Sequence, residues 1–154
     1  MTTLHILCGL PGSGKTVRAR ELEASGEGIL INADSWVWQL YPDDAEAAAR
    51  DERKLLVHGV QWDLVERLLK SDVDVILDWG VWSREERDHI RLRAQAIGAD
   101  VRLEYLTVPL ATLHERVASR NLDLPEGTFS ISPSELDEWA AVFEPPTPDE
   151  LTNR

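Results

Sequence analysis

Residues 9–16 read Gly-Leu-Pro-Gly-Ser-Gly-Lys-Thr and follow directly on the apolar run Leu4-His5-Ile6-Leu7-Cys8. A glycine, four residues and then Gly-Lys-Thr, placed after a strand, is the pattern of a phosphate-binding loop, and it demands a helix immediately behind it. The residue types follow from the chemistry. Small glycines let the backbone from Gly9 through Leu10, Pro11, Gly12, Ser13 and Gly14 curl round an anionic phosphate, while the following helix points its positive N-terminus at the same place. Lys15 then reaches the β- and γ-phosphates, and the Thr16 hydroxyl goes to Mg²⁺. The competing reading is a plain glycine-rich turn between a strand and a helix. The strand before the loop and the helical stretch after it, residues 17–24, favour a nucleotide site.

The 154 residues suit one domain, with about two-thirds of the unfolded surface buried in a single core. The formal charge of −12, from 28 acidic and 16 basic residues, opposes a broad nucleic-acid or anionic-membrane surface. Cys8 is the single cysteine and lies in an expected central strand, so it reads as a small buried hydrophobe and not as a reactive thiol. No stretch approaches eighteen consecutive apolar residues, and Met-Thr-Thr runs straight into the first strand without a charged leader. The expected setting is cytoplasmic, with no membrane and no indicated protein partner.

Along the chain, a strand at about residues 3–8 and a helix at 15–24 precede a continuous apolar run at 28–32. Continuous apolar runs suit parallel strands covered on both faces. After the polar Pro42-Asp43-Asp44, a long helical segment is expected from Ala45 to Leu69, its apolar stripe including Leu55, Leu56, Val60 and Leu64. A third strand over residues 73–77 ends on Asp78-Trp79-Gly80, and Ser83-Arg84-Glu85-Glu86 reads as a capping box opening a helix to Ile97. A fourth strand over 101–108 leads to Pro109, which suits the first turn of a helix over 110–120, and residues 121–127 read as a mobile loop. Ser132-Pro133-Ser134-Glu135 is a second capping box, for a helix ending near Phe143, where a proline-rich stretch follows. Strands alternating with helices give an α/β fold with a parallel sheet, whose ligand belongs outside the C-terminal strand ends.

Three features fall at three successive strand ends: the loop, Asp34 and Asp78. Asp34 is either the base that takes a proton from an acceptor hydroxyl or the N-cap of the segment that follows it. Asp78 holds Mg²⁺ through water, orients the acceptor, or caps the turn at Trp79-Gly80. Arg116 and Arg120 lie four apart on one helix face, either clamping phosphates from a closing lid or pairing with acids on a solvated face. Arg120 and Asn121 are candidates for nucleotide contact. Trp36, Trp38, Trp79 and Trp82 follow the strand-end aspartates and read as walls of an acceptor pocket, with core packing as the alternative. The four histidines show no metal-ligand spacing and receive no role.

This arrangement resembles the small P-loop kinases grouped with the kinase domain of phage polynucleotide 5′-hydroxyl kinase, and more loosely chloramphenicol phosphotransferase and zeta toxins. Residues 9–16, Asn32-Ala33-Asp34, Asp78, Val108-Pro109, Arg116 and Arg120 carry the likeness, which covers nearly the whole chain. It implies an α/β P-loop NTPase fold of nucleotide-kinase type, a four-stranded parallel sheet in the order 2-3-1-4, and a lid over about residues 116–132. It further implies Asp34 as general base, Asp78 at the acceptor and both arginines over ATP. Val37 stands where polynucleotide kinases resemble one another in an arginine, and the basic character is missing, which counts against a nucleic-acid acceptor. The resulting expectation is an ATP- and Mg²⁺-dependent phosphotransferase acting on a small-molecule hydroxyl. The alternatives are a polynucleotide 5′-hydroxyl kinase and a nucleotide-dependent switch with slow ATP hydrolysis.

Overall fold

Four short apolar runs pair side by side, all parallel, in the order β2-β3-β1-β4. They are β1 (Thr3–Cys8), β2 (Ile29–Asn32), β3 (Val75–Gly80) and β4 (Asp100–Tyr105) in a computed structural model that describes residues 1–43 and 47–151. The helices are α1 (Lys15–Ala24), α2 (Ala33–Leu40), α3 (Ala47–Lys70), α4 (Arg84–Ala96), α5 (Leu110–Leu122), α6 (Pro133–Val142) and α7 (Pro148–Leu151). The expected start of the long helix at Ala45 lies outside the described residues.

Because successive strand residues point to opposite faces, the sheet splits its side chains between two helical layers. Leu4, Ile6, Val75 and Leu77 pack with Trp62, Val65 and Leu69 of α3 and with Ile90 and Ala94 of α4. On the other face Leu7 and Ile76 meet Ala19 and Leu22 of α1. Sheet and helices thus bury both faces, as continuous apolar strands require. Among the described residues, no helix is long and apolar enough to cross a membrane.

Several local expectations need correction. β2 runs directly into α2, and the cap is Asn32, whose Oδ1 accepts from Ser35 N at 2.8 Å. Asp34 therefore lies in the first turn of α2 and not at its cap. The third strand occupies residues 75–80, later than the apolar run suggests, because Asp78 continues the parallel ladder opposite Asn32. Asp78 is thus a strand residue and does not cap the turn. At α4, Ser83 accepts from Glu86 N, but the Glu86 carboxylate turns to Trp82 N at 3.1 Å, so the expected reciprocal box closes one residue earlier. Pro109 is the N-cap of α5, and this helix continues to Leu122, taking in Asn121. The box at Ser132 forms as expected.

The proline-rich stretch is followed by α7, where Glu150 is 1 % exposed. Its carboxylate meets Arg87 Nε at 2.7 Å and Arg84 Nη1 at 3.5 Å, while Arg87 also donates to the Val81 carbonyl at 3.1 Å. Val81 has φ of 40°, a left-handed conformation that a β-branched residue rarely adopts. The same carbonyl accepts the Cys8 thiol at 3.3 Å, and burial pushes that thiol up to about 11. Cys8 is a packed, unreactive core residue.

Candidate active site

The loop between β1 and α1 is built by close backbone approaches. A Cβ on Gly9 would stand 2.5 Å from the Leu106 carbonyl oxygen, and one on Gly12 would stand 3.2 Å from Val117, so neither position accepts a side chain without displacing the backbone or α5. Gly14 at the mouth of α1 has φ of 100° and supplies no side-chain cap, which leaves the first-turn N–H groups for a ligand. Ser13 Oγ is buried without a hydrogen-bond partner among the described residues. Lys15 Nζ rests on the Leu10 carbonyl at 3.1 Å. Burial depresses the Lys15 ammonium, and the carboxylates of Asp78 and Asp34 oppose that effect.

The two strand-end aspartates stand in different company. Asp78, 7 % exposed, accepts from Thr16 Oγ1 at 3.1 Å and from Asn32 Nδ2 at 2.8 Å through the same oxygen. Asp34 instead pairs with Lys54 of α3, Oδ1 to Nζ at 2.8 Å. Burial acts to raise the Asp34 pKa, but the Lys54 charge and hydrogen bond, with help from Lys15, outweigh it and hold the carboxyl below its ordinary range. Burial likewise disfavours the Lys54 ammonium, and Asp34 reverses that, so its pKa is raised. Asp34 is accordingly ionised at neutral pH. Lys54 was not singled out by the sequence, because a lysine in an amphipathic helix twenty positions downstream carries no local signal.

Above the loop, Arg116 Nη1 donates to the Gly12 carbonyl at 3.1 Å. Arg120, one turn further on, keeps its Nε buried with no partner among the described residues, and burial lowers its pKa against the pull of Asp34. A desolvated guanidinium lacking an anion, beside a loop of open N–H groups, is what a polyphosphate would complete. Asn121 does not join it: its amide donates to the Ile131 carbonyl at 2.6 Å and accepts from Ile131 N at 3.1 Å, fastening α5 to the segment before α6.

The expected tryptophan wall divides. Trp36 and Trp79 both pack against the cluster of Ala33, Val37 and Val57, and Trp82 lies elsewhere. Trp79 stacks on His58 with ring centroids 4.0 Å apart and donates its indole N–H to Gln61 at 2.8 Å. Trp82 faces Trp139 of α6 at 5.5 Å. The left-handed turn at Val81 separates Trp79 from Trp82 and sends them to different neighbours. His58, to which sequence gave no role, is buried enough that its pKa falls to about 4, and its Nε2 has no partner. Val37 is 2 % exposed in an apolar cluster, so the position of the missing arginine is a packing position here.

The donor set suits a nucleotide with Mg²⁺. Among the described residues no group of three or more His, Cys, Asp or Glu could hold a metal ion. Mg²⁺ needs no such cage when phosphate oxygens and water complete its shell, and Thr16 with Asp78 offers the hydroxyl and the single carboxylate that this arrangement uses.

Comparison with known proteins agrees with this geometry. A protein from Bos taurus described as "Protein KTI12 homolog" is 30 % identical over 133 residues, 84 % of this chain; the chain spans only 37 % of that relative's length. Kti12 from Chaetomium thermophilum, solved with ADP-AlF3, superposes with a TM-score of 0.67 at 22 % identity over 95 % of this chain and 82 % of that one. A gluconokinase from Sinorhizobium meliloti gives 0.63 at 17 % identity, covering 97 % and 79 %. The family model described as "AAA domain" matches residues 4–146, from the first buried residues of β1 to beyond α6. With its phosphate loop, its 2-3-1-4 parallel sheet and nearly its whole length inside that match, the chain belongs to the AAA domain family as a small P-loop member.

Proposed function

We propose that the chain transfers the γ-phosphoryl group of ATP to a hydroxyl of a small molecule. The observation that carries this reading is the separation of the two aspartates: Asp78 is engaged by Thr16 and Asn32, whereas Asp34 stands apart from that cluster, ionised and held by Lys54. Transfer to a hydroxyl needs a carboxylate that is free to accept a proton. In the reaction the acceptor oxygen forms a bond to the γ-phosphorus as the bond to the β–γ bridging oxygen breaks, the hydroxyl proton passes to Asp34, and ADP leaves. Lys15 and the loop N–H groups hold the phosphates, while Arg116 and Arg120 face charge that spreads over the moving phosphoryl oxygens. Thr16 and Asp78 would hold Mg²⁺, which would supply positive charge to neutralise the phosphates.

The test is a screen for ³²P transfer from ATP into hydroxylated metabolites, antibiotics and oligonucleotides. Labelled product from one compound class supports the proposal; ATP turnover that no added hydroxyl compound alters would overturn it in favour of a nucleotide-dependent switch. Exposed Leu55, Leu56 and Val60 on α3 are what that second reading would use as a partner surface.

Two expected outcomes follow from the geometry. Arg120→Ala lowers kcat more than it weakens ATP binding, by roughly 10-fold or more, because the charge it meets grows in the transition state. Steady-state kinetics with a nucleotide titration checks this, and loss of affinity with kcat intact would make Arg120 a ground-state contact. Lys54→Met removes the cation that holds Asp34 ionised. Without the Lys54 charge and hydrogen bond the Asp34 pKa rises, and the acid limb of kcat/KM moves to higher pH than in the wild type. An unmoved limb would dissociate the titrating base from Asp34.

A further inference from the structure

At the C-terminal end of the β2–β3 ladder the side-chain hydrogen bonds close into a circuit. Asn32 and Asp78 stand opposite one another in the parallel register. The Asn32 amide donates from Nδ2 to Asp78 Oδ2 at 2.8 Å, and its Oδ1 accepts from Ser35 N, also at 2.8 Å. Its main-chain carbonyl accepts from Gln61 Nε2 at 3.0 Å, and Gln61 Oε1 accepts the Trp79 indole N–H at 2.8 Å. Trp79 follows Asp78 in β3, so the bonds run from β3 through α3 and β2 and back to β3.

Both amides fit one way round. An indole N–H only donates and a main-chain carbonyl only accepts, so Gln61, fully buried, can bridge them in a single orientation. A main-chain N–H and a carboxylate fix Asn32 in the same manner. Capping alone does not call for this residue. Serine or aspartate caps a helix about as well, but neither carries an N–H beside the cap oxygen to reach a second partner. Both hydrogen bonds to Asp78 fall on Oδ2, from Thr16 and from Asn32, and among the described residues Oδ1 accepts none. Two donors on one oxygen fix the rotation of the carboxylate and leave its other oxygen for a ligand. Asp34 lies two residues beyond the cap, on the first turn of the helix that Asn32 starts. One side chain thus touches both the carboxylate beside Thr16 and the origin of the helix that carries the candidate base.

We propose that Asn32 is a positioning residue: its amide orients the Asp78 carboxylate for Mg²⁺ and sets that carboxylate in register with Asp34, while Gln61 anchors Asn32 from α3. This rests on the phosphotransferase reading for the part played by Asp34; the orientation of Asp78 is reported by nucleotide and Mg²⁺ alone. Removing a hydrogen-bonding partner behind a metal-binding carboxylate typically costs roughly 10–100-fold in metal affinity or activity, although the partner never touches the metal. A merely structural network would show in stability and not in the response to Mg²⁺.

The experiment is an isothermal titration of the full chain with ATP, in Mg²⁺ and in EDTA, beside melting curves. Asn32→Ser keeps an oxygen for Ser35 N and loses the donor to Asp78, so the melting temperature should fall by no more than roughly 8 °C. ATP affinity in EDTA should stay within about twofold of wild type, because Lys15 and the loop N–H groups are untouched. The affinity gained on adding Mg²⁺ should fall roughly 10-fold. Asn32→Thr also caps and suits the extended backbone at φ −116°, ψ 124°; it should behave alike and serves if the serine variant folds poorly. In an Asp78→Ala background, Asn32→Ser should change the Mg²⁺ gain by less than about twofold, since the group through which it acts is gone. An unmoved Mg²⁺ gain in a folded variant, an equal loss in EDTA, or a further loss in the Asp78→Ala background would overturn the assignment. So would wild-type ATP binding that is indifferent to Mg²⁺. If the variants respond as stated while no added hydroxyl compound is labelled or alters ATP turnover, Asn32 keeps its role toward Asp78 and the phosphotransferase reading falls. Absence of ATP binding by the wild type would remove both.

Discussion

Asp34→Asn is expected to lower phosphotransfer roughly 10²–10⁴-fold while leaving ATP affinity nearly unchanged. The substitution keeps the size of the side chain and its place in the first turn of α2. It removes the group that accepts the hydroxyl proton and the charge that pairs with Lys54. Since Asn32 is the cap of α2, the capping role once open to Asp34 contributes nothing to the comparison. The stability cost is limited to a partly solvated ion pair, whose side chains are 55 % and 33 % accessible, and to a favourable charge near a helix N-terminus. Together these are worth about 1 kcal/mol. A melting curve therefore separates misfolding from lost chemistry. Near-normal transfer by Asp34→Asn in a folded sample would remove it as base and leave Asp78 as the remaining strand-end carboxylate.

Lys15→Ala should abolish most ATP-dependent turnover, by roughly 10³-fold, because no other side chain of the loop carries a positive charge to the β- and γ-phosphates. The fold gives little reason to resist the change. Among the described residues Lys15 Nζ hydrogen-bonds only the Leu10 carbonyl, at 3.1 Å, and the ammonium is already disfavoured by burial, so its removal relieves a cost in the free protein. Melting temperature should hold or rise slightly without nucleotide, and the stabilisation that added ATP gives the wild type should vanish. Wild-type affinity and turnover in the variant would contradict the phosphate-loop assignment.

Local chemistry made some of this legible in the sequence and long-range contact hid the rest. The loop, β1 and the box at Ser132 are each specified within a few residues, and they appear where the residues place them. The sheet order came with the family likeness and is the observed one. α2 escaped because Asn-Ala-Asp-Ser offers three capping side chains in four positions, and only the end of the β2–β3 ladder decides that Asn32 is the one used. β3 was displaced because an aspartate ends an apolar run in sequence but not in a ladder whose neighbour at that register is a hydrogen-bonding asparagine. Lys54 and His58 come from α3, which meets α2 only after folding, so spacing along the chain carries no trace of their proximity to Asp34. Four tryptophans near strand ends suggested one wall, and a single left-handed residue between two of them broke it.

The ion pair between Arg87 and Glu150 bears on how the molecule is made on the ribosome. Arg87 reaches under the end of β3 and holds the Val81 carbonyl, yet the anion that neutralises it is encoded 63 residues later. A nascent chain that has released all four strands still carries a desolvated guanidinium beneath its most strained turn, an arrangement that disfavours closure by several kcal/mol. Closure of the turn after β3 is therefore deferred until α7 has emerged.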